Sequence, residues 1–198
     1  MTYFKTLTGT WTQTGKVYKG TIDATLTARC IAGSETDTKY EFIGKLNVSS
    51  QKAAVIVFFT YNEDWEEYYI EMVLDPTNDK VTLDGVIRNA DGSEKERTTL
   101  ASRDMPIGTS SEVRVVAKTL DDGSGAVYGF INKFEVVRAE DLASPFVAGM
   151  HGFECLGTED QYSRFTDESA GAGGISEYCT VRQAKNFARI VNIKDLGF

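Results

Sequence analysis

Apolar and polar residues alternate with a period of two along most of the chain, while runs at the helical period of about 3.6 are nearly absent. Strand signals recur at the spacing of sandwiches and barrels, separated by turn residues. Strands are predicted from Gly9, from Lys16 and from Thr27, then over Lys39 to Val48 and Ala53 to Tyr61. The last of these is apolar on both faces, which predicts a central strand covered on both sides. Glu67 to Asp75 alternates most cleanly: Tyr68, Ile70, Met72 and Leu74 fall on one face, and Tyr69, Glu71, Val73 and Asp75 on the other. Lys80 to Arg88 runs back after Pro76-Thr-Asn-Asp, and Glu94 to Ser102 is polar enough for a sheet edge. Ser111 to Leu120, Ala126 to Ile131, Phe134 to Arg138 and Gly149 to Leu156 follow, the first two joined by Asp121-Asp-Gly-Ser-Gly.

Residues 157–178, with Gly171-Ala-Gly-Gly, break the rhythm and are expected to form a long loop or insertion. A final strand is expected over Asn186 to Ile193. With no repeat and no linker, residues 1–198 are expected to form one domain. A dozen short strands that each bury one face predict an all-β, two-sheet antiparallel sandwich.

Composition supports a globular domain and narrows its partners. The chain has 198 residues, 41% hydrophobic and 25% charged, with 18 Gly and only 3 Pro. The net charge of −8 argues against nucleic acid, whose phosphates need clustered Lys and Arg. The sparse Arg182, Lys185, Arg189 and Lys194 read as a solvated or subunit-facing edge. No run of about 18 apolar residues exists to cross a membrane as a helix. The Met1–Gly9 segment lacks an apolar stretch, so no secretory signal is expected there. Cys30, Cys155 and Cys179 contain no C-x-x-C pair; reduced buried thiols are expected, with a Cys155–Cys179 bridge as the alternative.

Several stretches, in order, resemble the concanavalin A-like lectin/glucanase superfamily in its laminin-G-like jelly-roll branch. They are Gly9-Thr-Trp with Val17-Tyr-Lys-Gly, Ala54-Val-Ile-Val-Phe-Phe with Tyr68-Tyr-Ile-Glu-Met-Val-Leu, Ser111-Glu-Val-Arg-Val-Val-Ala with Ala126-Val-Tyr-Gly-Phe-Ile-Asn, Ala148-Gly-Met-His-Gly-Phe, and the closing Ala184-Lys-Asn-Phe-Ala-Arg-Ile-Val-Asn-Ile. The resemblance implies a lectin-like jelly roll, and either sugar binding or glycoside hydrolysis. Hydrolases of the family carry Glu-x-Asp-x-x-Glu. Here Glu67, Tyr69 and Glu71 share a face, but Tyr69 stands where the Asp would be, so no catalytic residue is assigned.

Other chemistry finds little support. The single His151 permits no histidine metal cluster and reads as a packed strand residue. Calcium suits oxygen-rich loops, and Asp121 with Asp122, or Asp160, Asp167 and Glu168, are the candidates, but they read first as solvated turns; no resident cofactor is expected. Non-covalent ligand binding remains. Trp65 lies in a polar loop, Tyr69 and Glu71 lie on the less apolar face of their strand, and Arg88 is placed to fall beside them. An aromatic ring next to Arg and Glu suits a sugar, whose C–H faces stack while its hydroxyls hydrogen-bond.

The expected function is therefore a non-catalytic structural or surface protein of a larger assembly, such as a phage virion decoration or fibre-associated subunit, whose lectin-like fold binds glycans. Its expected partners are other subunits and polysaccharide, and its expected place is a virion or particle surface, or alternatively outside the cell. A stand-alone carbohydrate-binding module is the alternative, and a glycoside hydrolase the weaker one.

Overall fold

In the computed structural model, which describes residues 4–49 and 51–167, every regular element is a β-strand. In chain order these are β1 (Lys5–Thr8), β2 (Thr10–Thr14), β3 (Val17–Thr21), β4 (Thr27–Ala32), β5 (Lys39–Val48), β6 (Lys52–Tyr61) and β7 (Glu67–Asp75). Then come β8 (Lys80–Arg88), β9 (Glu94–Asp104), β10 (Ser110–Thr119), β11 (Gly125–Ile131), β12 (Phe134–Leu142), β13 (Met150–Leu156) and β14 (Tyr162–Asp167). They build two antiparallel seven-stranded sheets. Sheet A runs β1-β4-β13-β6-β7-β8-β9 and sheet B runs β12-β11-β10-β5-β14-β3-β2. This is the two-sheet sandwich expected from the alternation.

The inward faces of the sheets supply one continuous core. Phe153 of β13 sits at its centre, with ring centroids of Phe165 at 4.3 Å, Phe4 and Phe42 at 5.3 Å and Tyr18 at 5.8 Å. Ile70, Met72 and Leu74 of β7 face this core, so their neighbours Tyr69, Glu71 and Val73 face outward from sheet A. Ala53 to Phe59 are all buried, because β6 has core on one side and a second apolar cluster of Ile31, Ile56, Phe59, Tyr69 and Val86 on the other. The polar β9 forms an edge of sheet A, as its composition predicts.

Two elements differ from the sequence reading. Within the stretch expected as a long loop, residues 157–178, Tyr162–Asp167 is a strand, and an internal one: β14 lies between β5 and β3 with Phe165 fully buried. Its local signal is weak because its other inward residue, Ser163, is polar. The short β1, which pairs with β4, is also additional. The expected strand at 186–193 and the basic edge from Arg182 to Lys194 lie outside the described residues.

His151 faces the core, as expected of a packed strand residue. The rings of Tyr40 and Phe4 stand 5.5 and 6.1 Å away, and neither ring nitrogen has a hydrogen-bond partner. Burial disfavours the imidazolium and lowers its pKa to about 4, against a weak opposing pull from Asp37. An unfolded histidine charges near pH 6.5, so as the pH falls from there towards 4 the unfolded chain takes up a proton that the folded chain refuses. Stability is therefore lost over that window. Between pH 7 and 5 urea denaturation should show the wild type losing about 2 kcal/mol more than His151→Phe, because each tenfold difference in proton affinity between the two states is worth about 1.4 kcal/mol. Equal losses in the two proteins would show that the folded histidine charges freely.

Cys30 and Cys155 are buried thiols on adjacent inward positions of β4 and β13. Burial pushes the Cys155 thiol up to about 12, which keeps it protonated and unreactive. Cys179, and with it the alternative Cys155–Cys179 bridge, lies outside the described residues.

Candidate functional site

The outward face of sheet A is unusual because charge is buried on it. Alternation puts Arg29 (β4), Glu154 (β13), Glu67, Tyr69 and Glu71 (β7), Asp84 and Arg88 (β8) and Arg97 (β9) on this one face. The register explains how they meet. Glu67 lies opposite Arg88, and Glu71 opposite Asp84. Glu154 lies opposite Ala54, and Gly152 opposite Ile56, so small residues leave room for long side chains to lie flat across the strands.

The contacts form one network. Arg29 Nη1 donates to Glu67 and its Nε lies 3.9 Å from Glu154. Arg88 donates from Nε to the Tyr69 hydroxyl at 2.7 Å, from Nη2 to Glu154 Oε1 at 3.2 Å and from Nη1 to the Gly92 carbonyl at 3.0 Å. Arg97 Nη1 donates to Glu71 Oε1, and also to Asp84 Oδ2 at 3.0 Å, while its Nη2 donates to Glu94 at 2.9 Å. Glu71 and Glu154 are both fully buried. Burial acts against the charge on Arg88 and Arg97, but the carboxylates around each outweigh it and hold both guanidinium groups firmly charged.

One part of this face is open. Beside Glu71 a cleft of about 580 Å³ is lined by Lys52, Asp75, Thr82, Asp84, Arg97 and Thr99, among others. Lys52 and Asp75 pair across its rim at 3.2 Å. On its floor, Asp84 Oδ2 accepts from Thr82 Oγ1 and from Arg97, both at 3.0 Å, whereas the buried Asp84 Oδ1 has no partner. A carboxylate oxygen left without a partner keeps its capacity to accept a hydrogen bond from any group that reaches it.

The four residues singled out from sequence fall into three places. Glu71 lines the cleft. Tyr69 and Arg88 do lie beside one another on the same face, but both are buried and act beneath it. Trp65 is 68% exposed in the β6–β7 loop, packed edge-on against Tyr61 at 5.8 Å, and does not line the cleft. An Asn62 side chain that accepts from the Asp64 and Glu66 amides holds this loop, and Trp65 takes a positive φ of 62°. Reading the strands locally misses Arg97, Asp84, Lys52 and Glu154, which join the site only through sheet order. Their signal is charge at outward positions of β6 and β8, which adjoin β7, and of β13 and β9 one strand further out.

Glu67 and Glu71, the carboxylates that share a face of β7, do not form a pair across the cleft. Glu67 is held by Arg29 away from the cleft, so Glu67 and Glu71 do not both face one bound bond. Among the described residues no cluster of three or more His, Cys, Asp or Glu is placed to hold a metal ion. Of the calcium candidates, Asp122 is engaged by the Ser124 amide and hydroxyl at 2.9 and 2.7 Å in its own turn, and Glu168 lies outside the described residues.

No known protein family and no curated protein sequence matches this chain. Solved structures do. A carbohydrate-binding module, CBM66 from Bacillus subtilis, superposes with a TM-score of 0.61 at 16% identity, covering 84% of this chain and 94% of that one. A legume lectin-like domain from Entamoeba histolytica superposes with a TM-score of 0.53 at 8% identity, covering 83% and 86%. The fold is the concanavalin A-like jelly roll.

Proposed function

We propose that this chain is a non-catalytic glycan-binding domain that receives a neutral sugar in the cleft on the outer face of sheet A. The observation that carries the reading is the pairing of Asp84 and Arg97. Asp84 Oδ2 accepts from the Arg97 guanidinium at 3.0 Å, while Oδ1 of the same carboxylate is buried and has no partner. Adjacent hydroxyls of a sugar ring each donate and accept, so one can donate a hydrogen bond to the Asp84 carboxylate while its neighbour accepts from Arg97. Lys52 is paired with Asp75 and Arg97 with Asp84, so two of the three cations that line the cleft are already matched, which disfavours an acidic sugar. Preorganisation by the buried network underneath, Tyr69 and Arg88 included, lowers the cost of ordering the site on binding. Trp65 keeps the role of an outlying stacking ring. Similarity of fold to a carbohydrate-binding module and to a lectin-like domain is consistent with this use of the sheet.

Affinity electrophoresis against laminarin, xylan, inulin, galactomannan and starch tests the proposal. Retention by at least one is expected, with Asp84→Ala weakening it by about 10- to 100-fold through loss of a charge-assisted hydrogen bond. Equal retention of the variant, or none by the wild type, would remove the support for the cleft. The expected role as a virion or assembly subunit has no counterpart in the two structures named above and rests on the sequence alone, so sugar binding takes precedence.

A further inference from the structure

The network under the cleft holds a pair of carboxyl groups that ion pairing does not satisfy. Glu71 Oε1 accepts from Arg97 and Glu154 Oε1 accepts from Arg88. Their second oxygens, Glu71 Oε2 and Glu154 Oε2, are buried and take no bond from any donor group. The two side chains lie within hydrogen-bonding reach of each other. Two carboxylates cannot bond to one another, since both only accept; a carboxylic acid facing a carboxylate can. We propose that Glu71 and Glu154 share one proton, and that this proton makes Glu71 a positioning residue that holds Arg97 in register for the ligand. The second half of this proposal rests on the sugar-binding reading.

Every element around Glu71 bears on the result. Arg29 from β4 and Arg88 from β8 both face Glu154, at 3.9 and 3.2 Å. Arg97 from β9 favours an ionised Glu71 and Glu154 from β13 opposes it, while Asp84 from β8 shares Arg97. Lys52 from β6 is engaged with Asp75 of β7, and Tyr69 of β7 is held neutral by burial. Burial and the Glu154 charge outweigh Arg97 and push Glu71 up to about 8. Below that value the line Arg88–Glu154–H–Glu71–Arg97–Asp84 is complete. Above it, two buried negative charges face each other, and Arg97 is drawn off Asp84 towards them.

The 198-residue chain with ¹³C-labelled glutamate and ¹⁵N-labelled arginine, titrated by NMR from pH 5 to 10, tests the pair with no ligand present. One buried glutamate carboxyl, identified as Glu71 by its loss in Glu71→Gln, should titrate near pH 8, and the Arg97 Nε–H signal should shift at the same step. Titration of Glu71 in the ordinary glutamate range, or an Arg97 signal that ignores the step, would overturn the proposal. Retention on whichever polysaccharide of the panel is bound should fall about tenfold between pH 6.5 and 9.5 in the wild type. In Glu71→Gln, whose amide keeps a donor towards Glu154 with no proton to lose, the ratio between the two pH values should approach one. A wild type whose retention is flat across that range overturns the positioning role even where the NMR step is present. Failure of every polysaccharide to bind, with the NMR step intact, counts against the sugar reading and leaves the shared proton standing.

Discussion

Glu154→Ala should cost about 3–5 kcal/mol of folding stability, the range found when one member of a buried ion pair is removed. Glu154 is fully buried on β13, where it faces Arg88 Nη2 at 3.2 Å and Arg29 Nε at 3.9 Å. Truncation leaves the desolvated Arg88 with only the Tyr69 hydroxyl and the Gly92 carbonyl, and Arg29 with Glu67 alone. The penalty comes from that uncompensated charge rather than from the worth of the pair. Accordingly the double replacement Arg88→Met with Glu154→Leu, which removes both charges and keeps the volume apolar, should recover a large part of the loss. Urea denaturation of the three proteins measures this. A cost below about 1 kcal/mol for Glu154→Ala would put the group in contact with water, as an exposed pair would be.

Phe153→Ala should be comparably severe, at about 3–5 kcal/mol. The ring is 1% exposed and packs from sheet A onto aromatic side chains of sheet B, Tyr18, Phe42 and Phe165 among them. Their β-sheet backbones cannot close the hole, so the lost transfer energy is joined by a cavity cost. Phe153→Leu, which refills most of the volume, should lose clearly less. Equal losses for the two substitutions would mean that the surrounding rings collapse onto the site.

Local alternation reveals as much of this molecule as neighbouring residues can encode. Tyr69 and Glu71 share a face because they are two apart, and Arg88 falls opposite Glu67 because Pro76-Thr-Asn-Asp reverses the chain between two strands of equal length. The hidden parts depend on which strands become neighbours across long sequence separations. Nothing near Glu154 indicates that β13 will lie between β4 and β6, so the partner of Arg88, 66 residues away, is invisible locally. Exposure is misread for the same cause: Arg, Glu and Tyr at outward positions suggest a solvated surface until other strands' side chains are seen to close over them. For β14 the loss is of pattern itself, since Ser163 takes an inward position that an apolar residue usually marks.

The place of β14 also governs the order in which the molecule can assemble. Tyr162–Asp167 joins β3 to β5, so Val17–Thr21 has no partner on that side until almost the whole described chain has been made. The β2–β3 hairpin is made before the other strands of sheet B and must wait through some 140 residues for the strand that ties it to them. Contacts of such long separation slow folding, because the loop must close before the pairing rewards it. Chains cut short before residue 162 therefore carry the first hairpin as an unattached edge, open to pairing with other copies of itself.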